Sequence, residues 1–194
     1  MTTIFLVRHG ETNWNAIGKL QGRTDIPLNS VGVQQAEECS MYLKAFEWDV
    51  MITSPLKRAR TTAEIINKKL MVPLIERDEF LERCYGDAEG MTIEERTATF
   101  PDKIYRNQEE WTSLNQRVMT GIQELHQRYK GQKILLVAHG AVINAILATI
   151  SNGEIGTGKT KLMNACISNI HYHEEQWRVY DYNQVAHLSN YCGV

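Results

Sequence analysis

Two segments place a histidine just past an apolar run and a glycine just past the histidine: Leu6-Val7-Arg8-His9-Gly10 and Leu136-Val137-Ala138-His139-Gly140. A neutral imidazole is a nucleophile or proton carrier near neutral pH, and the glycine lets a ligand approach the backbone. One such histidine reads most simply as a hydrogen-bonded structural residue. Two in the same setting, one behind an arginine, point to chemistry. A third segment, Thr53-Ser54-Pro55-Leu56-Lys57-Arg58-Ala59-Arg60, puts three basic side chains on an opening helical turn. Lys57 and Arg60 read as solvated, whereas Arg58 adjoins the apolar stripe that starts at Ala59 and can turn inward. Arg8, Arg58, His9 and His139 around one point would cradle the oxygens of a phosphate. The helix expected after Gly140 would aim its free N–H groups at the same anion.

These groups meet only if the elements carrying them lie side by side. Ile4–Val7, Val50–Ile52 and Lys133–Ala138 read as strands buried on both faces, because their apolar residues do not alternate with polar ones. Helical stripes follow: Val33, Ala36, Leu43 and Phe46; Ala59, Ala63, Ile66 and Leu70; Val118, Ile122, Leu125 and Tyr129; and Val142, Ile143, Ile146, Leu147 and Ile150. Ser54-Pro55 reads as an N-cap followed by the first helical residue. Alternation of such strands and helices predicts an α/β fold, a three-layer α/β/α sandwich with a mostly parallel central sheet. Ligands bind such sheets outside the carboxyl ends of the strands, where both histidines fall. No linker, repeat or low-complexity segment divides the chain, so residues 1–194 are expected to form one domain.

The chain has 194 residues, 43% of them hydrophobic, with Lys+Arg 21, Asp+Glu 23 and a net charge of -2. Disorder is excluded by that apolar content, and nucleic-acid or membrane partners are not expected at that charge. Cysteines at 39, 84, 166 and 192 are widely spaced, without a Cys-x-x-Cys pair, and suit reduced thiols of a cytoplasmic protein.

The motifs together resemble the histidine phosphatase superfamily, the phosphoglycerate mutase-like fold, in its short phosphatase branch. They run in family order from residue 4 to about residue 170: Arg8-His9-Gly10-Glu11-Thr12 with Trp14-Asn15; Gln21-Gly22-Arg23-Thr24-Asp25-Ile26-Pro27-Leu28; Ser54 to Ala59 with Thr61-Thr62-Ala63; Leu81-Glu82 with Tyr85-Gly86 and Glu89-Gly90; His139-Gly140; and Asn164 to Ser168. The resemblance implies a phosphatase acting on small phosphomonoesters through a phosphohistidine on His9. Arg8, Arg58 and His139 would hold the phosphoryl oxygens, with Asn15, Gln21, Gly22 and Gly140 as further phosphate contacts. By residue type alone Glu76, Asp78, Glu79, Glu82, Asp87 and Glu89 compete as the acid, and the motif selects Glu82. Beside a bound phosphate anion that carboxyl is expected to hold a proton and donate it. No metal or cofactor is needed. The short stretch between Glu82 and His139 favours hydrolysis over mutase-type phosphoryl transfer. The chain departs from the pattern at Ala88, where many family members have tryptophan, and at Gln108-Glu109-Glu110, where many have Gly-Glu-Ser.

Rival signals are weaker. Gly153-Glu154-Ile155-Gly156-Thr157-Gly158-Lys159-Thr160 satisfies the P-loop formula, but a helical stripe precedes it where a strand is required, and it reads as a glycine loop. His171 and His173 share one strand face without an evident third metal ligand. Trp14 and Trp111 are candidates for the pocket wall, and Trp48 and Trp177 for packing. A phosphate-binding module without catalysis would normally lack the nucleophile or the acid, and both are present.

Overall fold

The computed structural model describes residues 1–191, so Cys192 lies outside the described residues. The elements run β1 (Thr2–Arg8), α1 (Asn13–Ala16), α2 (Ser30–Leu43), β2 (Val50–Thr53), α3 (Lys57–Leu70), β3 (Leu74–Glu76), α4 (Ile93–Thr99), α5 (Trp111–Arg128), β4 (Lys133–Ala138), α6 (Gly140–Ile150), β5 (Ile167–His173) and β6 (Gln176–Gln184). They build a six-stranded sheet in the order β3-β2-β4-β1-β5-β6. The β3, β2, β4 and β1 strands are mutually parallel, β5 runs antiparallel to β1, and β6 antiparallel to β5.

The apolar runs lack alternation because both faces of the central strands are covered. Ile4, Leu6, Ile52, Ile134 and Leu136 pack with Val118, Ile122 and Leu125 of α5 and with Val142, Ile143 and Ile146 of α6. Val7, Met51, Leu135 and Val137 point the other way, onto Cys39 and Leu43 of α2 and Ala59, Ala63 and Ile66 of α3. Successive strand residues thus serve opposite cores, which is the period of two that a pleated strand imposes. The result is the expected three-layer sandwich.

Register carries the chemistry. Arg8 pairs with Ala138 and Thr53 with Val137, so the residues after β1, β2 and β4 emerge together at one edge. Backbone bonds extend the ladder past the strands, from His9 N–H to Ala138 O at 3.0 Å and from Ser54 N–H to Val137 O at 3.1 Å.

Two local expectations are corrected. The buried face of α2 is Gly32, Gln35, Ala36, Cys39, Ser40 and Leu43, which keeps Ala36 and Leu43 of the expected stripe; Val33 is only half-buried, and Phe46 lies beyond the helix, exposed. The reason is packing: small residues let α2 sit close to the β1–α1 turn. Nor does Ser54 cap α3, which begins at Lys57 with Leu56 in the N-cap position and no cap from that residue's side chain. Asp25, from a distant loop, accepts the Lys57 N–H at 2.8 Å instead, while the Ser54 hydroxyl is 2.8 Å from His139 Nε2. Long-range partners override the local start signal.

The turn after His9 crosses the start of α2 backbone to backbone. A methyl at Gly32 would stand 2.1 Å from Glu11 O, and one at Gly10 would stand 2.4 Å from Gly32 O. Gly32→Ala should therefore destabilise the protein by about 1–3 kcal/mol, as overpacking does, and urea unfolding with an unchanged midpoint would disprove that contact.

Candidate active site

A cavity of about 540 Å³ opens at the edge where β1 and β4 end, with Arg8, His9, Asn15, Gln21, Gly22, Arg58, Glu82 and Gly140 in its wall. His9 is buried, and its Nδ1–H donates to the Gly10 carbonyl at 2.7 Å, since a carbonyl can only accept. The lone pair is thereby left on Nε2. Burial, then the charges of Arg58 and Arg8, hold the His9 pKa well below its ordinary 6.5, so the ring is neutral at pH 7.

The two arginines are held without being neutralised. Arg58, 1% exposed, donates to Thr24 O at 3.0 Å and to Gly22 O at 2.6 Å; Arg8 donates to Leu162 O at 2.5 Å. Carbonyls orient a guanidinium but carry no net charge to cancel it. The Nε of each arginine and Nδ1 of His139 are buried without a hydrogen-bond partner among the described residues. Such groups are costly in an interior unless something else uses them. His139 adjoins His9, with ring centroids 5.2 Å apart, and its pKa is likewise pushed well below 6.5, first by burial and then by Arg58, His9 and Arg8. It is fully buried and stands beneath the cavity wall, not in it, with Gly140 as the wall residue. Asn15 spends its amide oxygen on Thr12 N–H at 3.1 Å and Asn164 Nδ2 at 3.2 Å, leaving its NH₂ as a neutral donor.

Comparison with known proteins gives the family. The chain matches the histidine phosphatase superfamily (branch 1) over residues 4–185. The chain belongs to the histidine phosphatase superfamily. It is 54% identical to the uncharacterized phosphatase PhoE of Bacillus subtilis, over 98% of this chain and 99% of that protein. A metal-independent phosphoserine phosphatase of Arabidopsis thaliana is 32% identical, over 98% of this chain and 84% of its own length. Bacillus stearothermophilus YhfR is similar in structure, with a TM-score of 0.90 at 27% identity, covering 96% of this chain and 99% of that one. Membership makes this chain an enzyme of the phosphatase kind.

For a histidine phosphatase, the candidate acids separate cleanly. Glu82 alone lines the cavity: Oε1 accepts from Arg83 N–H at 2.9 Å and Oε2 from Ala141 N–H at 3.2 Å. The α6 N-terminus, expected to meet the anion, thus gives that N–H to the carboxylate. Glu89 instead clamps a loop, accepting from Arg23 N–H at 3.0 Å, Thr24 N–H at 2.8 Å and Tyr85 N–H at 2.9 Å. Gly22, at φ 55°, is required there, because a methyl would fall 2.0 Å from Glu89 Oε1. Glu76 pairs with Arg60, Glu79 with Arg77, and Asp87 accepts from Asn107, while Asp78 is exposed.

Sequence reading missed three features. Ser54 partners His139. Glu109, in the departing Gln108-Glu109-Glu110 segment, takes the Arg117 fork at 2.6 and 2.9 Å, and Arg117 donates in turn to the backbone oxygens of Glu79 and Glu82. The glycine loop has a position in the site: Gly153–Thr160 leaves the end of α6, enters no helix, and puts Thr157 to Thr160 in the cavity wall. That context rules out a P-loop. Trp111 lines the wall as expected, whereas Trp14 packs on Gly90.

Two buried neutral imidazoles tie stability to pH. Their folded pKa values lie below the unfolded 6.5, so the unfolded chain binds more protons as pH falls below 6.5, and stability is lost in that direction. Within the window each contributes a slope of about 1.4 kcal/mol per pH unit. Urea unfolding from pH 7.5 to 5.0 should show a shallower loss for His139→Asn than for the wild type; equal slopes would refute the assignment.

Proposed function

We propose that residues 1–194 form one histidine phosphatase domain, a cytoplasmic, metal-independent phosphatase that hydrolyses small phosphomonoesters through a phosphohistidine on His9. The carrying observation is the neutral, buried His9 ring, with Nε2 free, beside two guanidiniums that keep their charge. The free thiols of Cys39, Cys84 and Cys166 support a reducing compartment. The Arabidopsis relative makes phosphoserine a natural first compound to assay.

The phosphate oxygens lie against Arg8, Arg58 and the Asn15 amide, with Gln21, Gly22 and Gly140 closing around them. A Ser54 hydroxyl donating to His139 Nε2 leaves the proton on the unpartnered Nδ1, neutral support beneath the wall that Gly140 forms. Charge on the equatorial oxygens is stabilised most where it spreads, in the in-line transition state. His9 Nε2 forms the N–P bond as the ester P–O bond breaks, and the Glu82 carboxyl gives its proton to the departing oxygen. In the second half the Glu82 carboxylate takes a proton from water, the water oxygen bonds to phosphorus, and the N–P bond breaks. The ring returns neutral and Glu82 protonated. The wall offers cations and one carboxylate, a donor set that suits an anion and not a divalent metal.

Four measurements test this. Turnover should persist in EDTA, and vanadate should inhibit; loss of activity to the chelator with the fold intact would refute metal independence. Rapid-quench mass spectrometry should find an acid-labile phosphoryl adduct on His9, and label on any other residue would overturn the nucleophile. Glu82→Gln should lower kcat/KM, which reports the first half alone, by roughly 10²–10⁴-fold for an alkyl phosphate, and much less for p-nitrophenyl phosphate, whose leaving group needs no proton. An equal loss on both esters would deny Glu82 its role as acid.

A further inference from the structure

One peptide unit stands between the nucleophile and the helix packed behind it. Its carbonyl, Gly10 O, accepts the His9 Nδ1–H at 2.7 Å, and its amide, Glu11 N–H, donates to Gln35 Oε1 at 2.9 Å. A trans peptide holds its N–H and C=O on opposite sides of one plane, so a bond made to either aims the other. Gln35 is buried and belongs to the inward face of α2. An amide N–H must meet an acceptor, which turns the oxygen of that side chain, and not its NH₂, toward Glu11.

The turn as a whole has other anchors. Gly10 N–H donates to Thr62 Oγ1 at 3.1 Å, Glu11 O accepts from Asn29 N–H at 3.0 Å, and Asn29 Nδ2 donates to the Glu11 carboxylate at 2.8 Å. These bonds hold the peptide units on either side and the Glu11 side chain, and none touches the Gly10–Glu11 unit itself. Glycine offers the least backbone resistance to rotation of the peptide that follows it. On the amide side of that peptide, the bond to Gln35 is what opposes the rotation.

Building on the phosphatase reading, we propose that Gln35 is a positioning residue for the nucleophile: through the Gly10–Glu11 peptide it keeps the His9 proton on Nδ1 and the lone pair on Nε2. Positive charge grows on the ring as the N–P bond forms, and a carbonyl whose own N–H is engaged accepts the Nδ1–H more strongly. The chain from Gln35 through the peptide to His9 thus does for this imidazole what a buried carboxylate does behind the histidine of a catalytic triad.

Two variants test this. Gln35→Met keeps the volume and removes the acceptor, whereas Gln35→Glu keeps an oxygen in place whichever way it is protonated. Long-range proton–nitrogen correlation spectra of the free enzyme at neutral pH read the tautomer, with His9 assigned by its loss in His9→Asn. The kcat/KM for p-nitrophenyl phosphate reads the first half of the reaction. The wild type should show one tautomer, protonated on Nδ1. Gln35→Met should show mixed tautomers and lose kcat/KM on the order of tenfold, with circular dichroism confirming its fold, and Gln35→Glu should restore most of both. An unchanged tautomer and rate in Gln35→Met overturns the proposal. So does a lower rate with the His9 signals unmoved, which marks general loosening, and so does a Gln35→Glu as impaired as Gln35→Met. If Gln35→Met does not fold, Gln35→Glu decides: wild-type tautomer and rate support the role, and a proton moved off Nδ1 or a tenfold slower rate overturns it. A wild type that turns over no ester removes the phosphatase reading and this role together, whereas an active wild type indifferent to Gln35 removes this role alone.

Discussion

Burying two positive charges without pairing them is the constraint around which this molecule is arranged. A guanidinium taken from water needs oxygen partners, yet a carboxylate partner would consume the charge an anion is to meet. The solution is backbone carbonyls: Gly22 and Thr24 for Arg58, Leu162 for Arg8. Those carbonyls face inward only because their loops are pinned. Glu89 gathers the Arg23 and Thr24 amides, and Gly22 takes a left-handed conformation that leaves room for its carboxylate. The uncancelled charge then acts on the neighbouring imidazoles, adding to the effect of burial and keeping both neutral. The neutral imidazoles, the carbonyl-held arginines and the pinned loop are consequences of one electrostatic requirement.

Much of this was legible in the sequence because it is carried by short segments or by period. Strands buried on both faces announce themselves by unbroken apolar runs, and a parallel register makes His9 and His139 neighbours once their strands pair. Arg58 could be told from Lys57 and Arg60 because it adjoins the inward stripe of its own helix; it is buried and they are exposed. What escaped reading depends on contacts between residues far apart in the chain. Asp25 caps α3 from a remote loop, freeing Ser54 for His139, and no local signal distinguishes that from an ordinary serine cap. The P-loop formula misleads for the same reason: eight letters do not specify whether a strand or a helix comes before them.

The two halves of the site are supported differently. His9, His139 and Arg8 stand at or just past the ends of central strands, fixed by the sheet and by cores on both faces. Glu82 stands outside the sheet, between short turns, and its position rests on side chains: Arg117 and Arg23 on its carbonyl, with Glu109 holding Arg117. A strand end moves only if the sheet moves, whereas such a clamp can be rebuilt by a few substitutions.

This asymmetry gives the departures from the family pattern a physical place. Ala88 is buried close in sequence to Glu82 and Glu89, and Glu109 is the residue that holds Arg117. Neither touches the cradle. Both departures therefore fall beside Glu82, and neither falls among the groups proposed to hold phosphate. Gripping a phosphoryl group demands one geometry whatever ester it comes from, because its oxygens are the same in every substrate. Protonating the leaving oxygen and accommodating the remainder of the molecule demand a geometry that changes with the substrate. A rigid sheet edge serves the first task, and adjustable clamps and a loop serve the second.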